Sequence, residues 1–158
     1  AMTGWRIGYA AGPKDLITAM ANIQSQSTSN PCSISQKAAV AALRLGEPFT
    51  RKMVEEFSRR RCAIVEGLNK IPSVSCRMPS GAFYAFPNIK GVLGKRGPSG
   101  VLKTPNDVAQ YLLHDARIAV VPGEPFGSPE HLRLSYATSM DNITRGLMRL
   151  EQAFAKLE

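Results

Sequence analysis

The sequence predicts an α/β-class chain of α+β-like character, with a small, mostly antiparallel sheet packed with helices. Three observations lead there. Helical periodicities and short β-like runs are mixed along the chain without the regular strand–helix–strand alternation of a parallel sheet. Ile143, Leu147, Leu150, Phe154 and Leu157 recur at alternating four- and three-residue steps, which is an apolar helical stripe. Leu132 to Ala137 interleaves Leu132, Leu134 and Tyr136 with Arg133 and Ser135, the two-residue period of a strand with two unlike faces.

The elements follow in order. Trp5 to Ala10 alternates large and small residues and reads as a short strand running into the Gly12-Pro13 turn. Pro13 suits a helix's first turn, and Leu16, Ile17, Met20 and Ile23 continue at helical spacing until the polar run Gln24 to Asn30 interrupts it. Ser33 or Ser35 is placed to cap a helix over Ile34 to Leu45, which Gly46 stops. A long amphipathic helix carries Phe49, Met53, Phe57, Ile64 and Leu68, and Pro72 ends it. Val74 to Met78 and Ala82 to Phe86 read as strands joined by Pro79-Ser80-Gly81. Ile89 to Lys103, rich in Gly, Lys and Pro, reads as a mobile surface insertion. Thr104-Pro105 starts a helix over Asn106 to His114, and Ile118 to Val121 is a further strand.

Bulk composition narrows the class. A length of 158 residues suffices for a real core, and 44% hydrophobic with 20% charged residues is ordinary for a soluble globular protein. No stretch approaches the roughly 20 apolar residues that span a bilayer, so no membrane partner is expected. Cys32, Cys62 and Cys76 lack metal-ligand spacing and are odd in number, which points to a reducing, cytoplasmic setting and to no metal. The net charge of +8 is the one unusual value. Its densest run, Arg59-Arg60-Arg61, follows Glu55 and Glu56 by one helical turn and reads as a solvated helix face. Without aromatic residues interleaved among the basic ones, no nucleic-acid partner is expected. His114 and His131 stand alone, without a nearby Asp or Cys, and are read as surface or packing residues.

Two arginines stand out. Arg6 lies among Trp5, Ile7 and Tyr9, and Arg133 among Leu132, Leu134 and Tyr136. A buried guanidinium is costly unless an anion meets it, so the pair suggests two anionic groups or one ligand with two anionic ends. The plainer alternatives are a snorkelling side chain for Arg6 and a surface ion pair for Arg133.

The runs Met2-Thr3-Gly4-Trp5-Arg6-Ile7-Gly8-Tyr9, Pro79-Ser80-Gly81-Ala82-Phe83-Tyr84, Val121-Pro122-Gly123 and His131-Leu132-Arg133-Leu134-Ser135-Tyr136-Ala137-Thr138 resemble the second half of a class I aminotransferase. Such enzymes use pyridoxal 5'-phosphate (PLP) and have fold type I; the likeness is to the bacterial-type aspartate aminotransferase branch and runs through the whole chain. It implies a parent enzyme moving an amino group from an amino acid, aspartate foremost, to a 2-oxo acid. Glutamate, prephenate-derived and aromatic substrates stay open, as does a lyase or decarboxylase of the same fold type. It also implies a homodimer, with Gln24 to Asn30 near the interface, although the residues alone favour a hydroxyl-rich loop between two helices. Residues 1–12 would end the large PLP-binding domain, and 13–158 would form the C-terminal small domain with interdomain helices. Arg6 would contact the PLP phosphate and Arg133 the substrate α-carboxylate. Phe83 would face the substrate, although one of Phe83 and Tyr84, on opposite faces of a strand, is expected in the core. Pro122 to Gly127 would be a loop whose Pro and Gly fix a turn and need do nothing else. The family's Schiff-base lysine would fall just before Ala1, so no catalytic residue is expected in this chain. By itself the chain is expected to be an inactive folding or interaction domain.

Overall fold

Helical periodicity sets the framework. The helices α1 (Lys14–Ser27), α2 (Ser33–Leu45), α3 (Glu47–Lys70), α4 (Pro105–Asp115) and α5 (Met140–Phe154) all lie where apolar residues recur at helical spacing. The computed structural model describes residues 2–158 and divides between Met53 and Val54 into two units.

The first unit is helical. The expected strand over Trp5 to Ala10 is absent. Thr3–Trp5 form a 3₁₀ turn, Arg6 takes a left-handed conformation at φ 49°, and residues 7–10 are unpaired. A strand persists by pairing, and the described residues of this unit contain no other strand to pair with. The polar run Gln24 to Asn30 does end α1, but only partway along it. The Ser27 hydroxyl donates back to the Ile23 carbonyl at 3.0 Å, and the helix ends only before Thr28 and Ser29, the latter at φ 64°. Neither Ser33 nor Ser35 caps α2. Ser33 already lies inside the first turn, and the Ser35 hydroxyl donates to the Trp5 carbonyl at 3.0 Å.

The second unit holds the core. The strands β1 (Tyr84–Ala85), β4 (Val121–Pro122) and β5 (Leu132–Ser135) make an antiparallel sheet in the order β1-β5-β4, and β2 (Arg96–Gly97) with β3 (Gly100–Val101) forms a separate hairpin. Leu68 from α3, Val108 and Leu112 from α4, and Leu132 with Tyr136 from the β5 region are almost wholly buried. The predicted α5 stripe holds. Ile143, Leu150, Phe154 and Leu157 enter the core, and Leu147 packs at its edge.

Three sequence expectations are corrected in this unit. The strand over Val74 to Met78 shrinks to a bridge between Ser75 and Asn88, with the Asn69 side chain bonding both backbone groups of Cys76. Pro79, which has no N–H, follows directly. Ile118 to Val121 pairs only from Val121, because the Ile118 N–H instead reaches the Leu112 carbonyl and closes the end of α4. Residues 89–103 are not a surface insertion. Ile89, Val92 and Leu102 are buried, and Arg96 exchanges two backbone hydrogen bonds with Glu158. The glycines and lysines hid a segment in which Ile89, Val92 and Leu102 point inward and only Val101, of its larger apolar residues, is exposed.

The start of α4 carries a pH-dependent cap. The Thr104 hydroxyl accepts the Asp107 N–H, and the Asp107 carboxylate accepts the backbone N–H groups of Thr104 and Lys103 at 2.9 Å each. These bonds, the one from the Thr104 backbone foremost, hold the Asp107 carboxyl below the usual carboxylate range. A carboxyl whose folded value lies below its unfolded one, about 3.9, stabilises the fold above that pH. The contribution is lost as pH falls through the folded value. Asp107→Asn should therefore lower the urea midpoint at pH 7, with the gap to the unmodified protein narrowing as the pH drops below about 4. An equal gap at both pH values would rule the cap out as its source.

Candidate substrate-binding site

The central strand, β5, presents the site. Its alternation is as expected: Leu132 and Tyr136 go to the core, Leu134 is partly buried, Ser135 is exposed, and Arg133 is half-buried on the other face. Register places Tyr84 opposite Ser135 and Val121 opposite Arg133. The Arg133 guanidinium carbon lies over the Tyr84 ring and over the Phe126 ring, 4.5 Å from each centroid. Among the described residues it has neither a carboxylate partner nor a hydrogen-bond acceptor. The surface ion pair considered from the sequence is thus not formed among the described residues.

Phe126 was not singled out by sequence reasoning. It comes from a 3₁₀ turn over Glu124–Phe126 that closes on Gly127 at φ 75°. The turn is tied to the sheet because the Gly123 N–H donates to the His131 carbonyl at 2.9 Å, while the Gly123 carbonyl accepts from Phe126 and Ser128. Pro and Gly do fix this turn, but its aromatic residue reaches Arg133. Phe86 stands edge-on to Phe126 and stacks on His131, whose Nδ1 lies 2.6 Å from the Ser128 hydroxyl.

Phe83 falls just outside β1, so strand alternation does not govern it. Its ring lies against Tyr84 with centroids 4.6 Å apart rather than on the opposite face. It is 37% exposed, with Phe57 of α3 at 6.3 Å. The preceding backbone is held firmly. Ala82 is at φ 60°, and its carbonyl accepts the Tyr136 hydroxyl at 2.9 Å, while the Tyr136 N–H donates to the Phe83 carbonyl. Burial pushes the Tyr136 hydroxyl above its ordinary pKa, with the charge of Arg61 opposing.

Arg61 itself corrects the reading of Arg59-Arg60-Arg61 as a uniform solvated face. Arg59 and Arg60 both pair with Glu56 on α3. Arg61 turns inward, its Nη1 donating to the Pro79 carbonyl at 3.1 Å and its Nε buried without a partner. The signal was present, because Phe57, Arg61, Ile64 and Leu68 form a four-three-four series and Arg61 occupies an apolar position in that stripe.

Arg6 belongs to the first unit. Its side chain is exposed and, among the described residues, bonds only the Thr3 carbonyl, at 3.3 Å. No carboxylate among the described residues pairs with it.

Helices around a small antiparallel sheet, with Arg133 displayed from the central strand, are consistent with a fragment of a fold type I transferase. The family model described as aminotransferase class I and II matches residues 1–150, and the chain belongs to that family. An aspartate aminotransferase of Rhizobium meliloti (strain 1021) is 53% identical over 158 residues, covering 99% of this chain and 38% of that protein. An aspartate/prephenate aminotransferase of Nitrosomonas europaea is 45% identical, covering 95% of the chain and 38% of that protein. Among solved structures, the aspartate aminotransferase from Rhizobium meliloti superposes with a TM-score of 0.92 at 52% identity, covering 99% of this chain and 40% of that one. The aromatic aminotransferase from Pyrococcus horikoshii does so at 0.83 and 32% identity, covering 98% and 40%. The chain thus spans about two fifths of the length of the relatives it matches.

Proposed function

We propose that this chain is the C-terminal part of a PLP-dependent aminotransferase that moves an amino group between an amino acid, aspartate foremost, and a 2-oxo acid. The carrying observation is Arg133, a half-buried guanidinium held against two rings with its N–H donors free of partners among the described residues. A carboxylate is the ligand that such a fork takes in two parallel bonds. The α-carboxylate is common to every amino and 2-oxo acid, so one fixed clamp orients all of them. Phe83, beside Tyr84 and part-exposed, is proposed to line the substrate's path.

The residues present suit PLP as far as they go. Arg6 is exposed and has no acidic partner among the described residues, and a guanidinium matches a phosphate dianion in charge and geometry. When bound, PLP supplies the electron sink for amino transfer. Within this chain Arg6 would hold its phosphate. None of the eight lysines stands in the family's lysine context, and all but Lys95 are exposed, so we assign no catalytic residue here and expect the 158 residues alone to be inactive. We place the domain division at Gly12 and the enzyme in the cytoplasm as a homodimer approached near Gln24 to Asn30. A prephenate-type oxo acid is the second substrate reading, favoured by relatives named aspartate/prephenate aminotransferases.

The test uses the full-length protein containing these residues. With PLP present it should transfer the amino group of aspartate to 2-oxoglutarate, and Arg6→Ala should raise the PLP concentration that half-restores the apo-enzyme by roughly tenfold or more, the loss of a charge-assisted phosphate contact. Absence of transfer with any amino donor would overturn the function. An unchanged PLP titration would remove Arg6 from the phosphate site.

A further inference from the structure

We infer that Tyr84 and Phe126 are positioning residues that hold the Arg133 guanidinium for its carboxylate while leaving its hydrogen-bonding capacity untouched. The inference rests on the assignment of Arg133 to the substrate carboxylate. The chemistry of the contact carries it. An arginine in a protein interior is ordinarily fixed by an Asp, a Glu or a backbone carbonyl, and each of those uses N–H groups and offsets the charge. A ring face does neither. It attracts the cation through its quadrupole and restricts the side chain by contact, while all five N–H donors stay available. Arg133 has two such rings at 4.5 Å and no other polar partner among the described residues.

The rings come from separate segments, and each is fixed independently. Tyr84 is carried by β1, paired to β5 through Ser135, and its ring also meets Phe83. Phe126 rides on the turn anchored by Gly123 and meets Phe86, which in turn stacks on His131. The arginine is therefore supported by rings from two separate segments, each with a further aromatic neighbour of its own. A long side chain held before the substrate arrives loses less rotamer freedom on binding.

The rings should matter to binding, and equally for every substrate. In the full-length holoenzyme, Tyr84→Leu and Phe126→Leu should each raise KM for aspartate and for 2-oxoglutarate by roughly tenfold with little change in kcat, as lost cation–π support implies. Tyr84→Phe and Phe126→Tyr keep a ring face and should recover most of that loss. In an Arg133→Lys background the Leu substitutions should add far less than they do alone. Leu and aromatic variants with the same KM would overturn the inference, as would full additivity with Arg133→Lys. A misfolded Leu variant leaves the decision to the aromatic pair compared with Tyr84→Ile and Phe126→Met, which fill similar volume without a π face. If Arg133→Lys itself leaves KM and kcat unchanged, the carboxylate assignment fails rather than the support by the rings.

Discussion

On the proposed role of Arg133 as carboxylate clamp, Arg133→Lys in the full-length protein should lower kcat/KM by roughly 10²-fold or more for every amino and 2-oxo acid tested. A hundredfold loss corresponds to about 2.7 kcal/mol of transition-state stabilisation. The charge survives the substitution, so the loss measures geometry. A guanidinium offers a planar fork that meets both carboxylate oxygens, whereas an ammonium is a point charge on a flexible stem. Lysine would also fit the Tyr84 and Phe126 rings differently, because its compact charge cannot lie flat across them. The α-carboxylate is shared, so the factor should be nearly the same for substrates with acidic, aromatic and small side chains. A loss confined to dicarboxylic substrates would move Arg133 to side-chain recognition. Unchanged kcat/KM for aspartate would remove it from the site.

The alternation in Leu132 to Tyr136 was sufficient to place Arg133 on the outer face of a strand, and the α5 stripe was sufficient to place its residues in the core. Both are periodic patterns, and periodicity survives in one dimension. What the sequence did not display were contacts made across distance. Phe126 is six residues after Val120 and seven before Arg133 in a turn-like stretch, and nothing local says that its ring returns to the sheet. Residues 89–103 look like a loop by composition, yet Ile89, Val92 and Leu102 find the core. Trp5 to Ala10 failed for the converse reason, since local alternation predicts a strand only when a partner strand is present to pair with it. Arg61 was visible in the α3 stripe but was overridden by its two basic neighbours.

Gly123→Ala should destabilise the second unit by about 3 kcal/mol, a large effect for one methyl group. A Cβ at this position would lie 2.6 Å from the His131 carbonyl oxygen and closer still to that of Ser128, with the His131 carbonyl carbon at 3.0 Å. These are backbone atoms, so no side chain can swing aside. The backbone must move instead, and the bonds it would strain are those from Gly123 N–H to His131 and from Phe126 and Ser128 to the Gly123 carbonyl. That turn carries Phe126 to Arg133, so the variant should also raise KM for aspartate at temperatures where it remains folded. Gly127→Ala separates crowding from backbone strain. Nothing lies within 4 Å of a Cβ there, but φ is 75°, so its cost should be only about 1–2 kcal/mol and Asn should be tolerated better than Ala. Thermal unfolding of the full-length protein would rank the three variants. A Gly123→Ala protein as stable as the original, or less affected than Gly127→Ala, would mean that the turn is not packed against His131 and Ser128 as the structure has it.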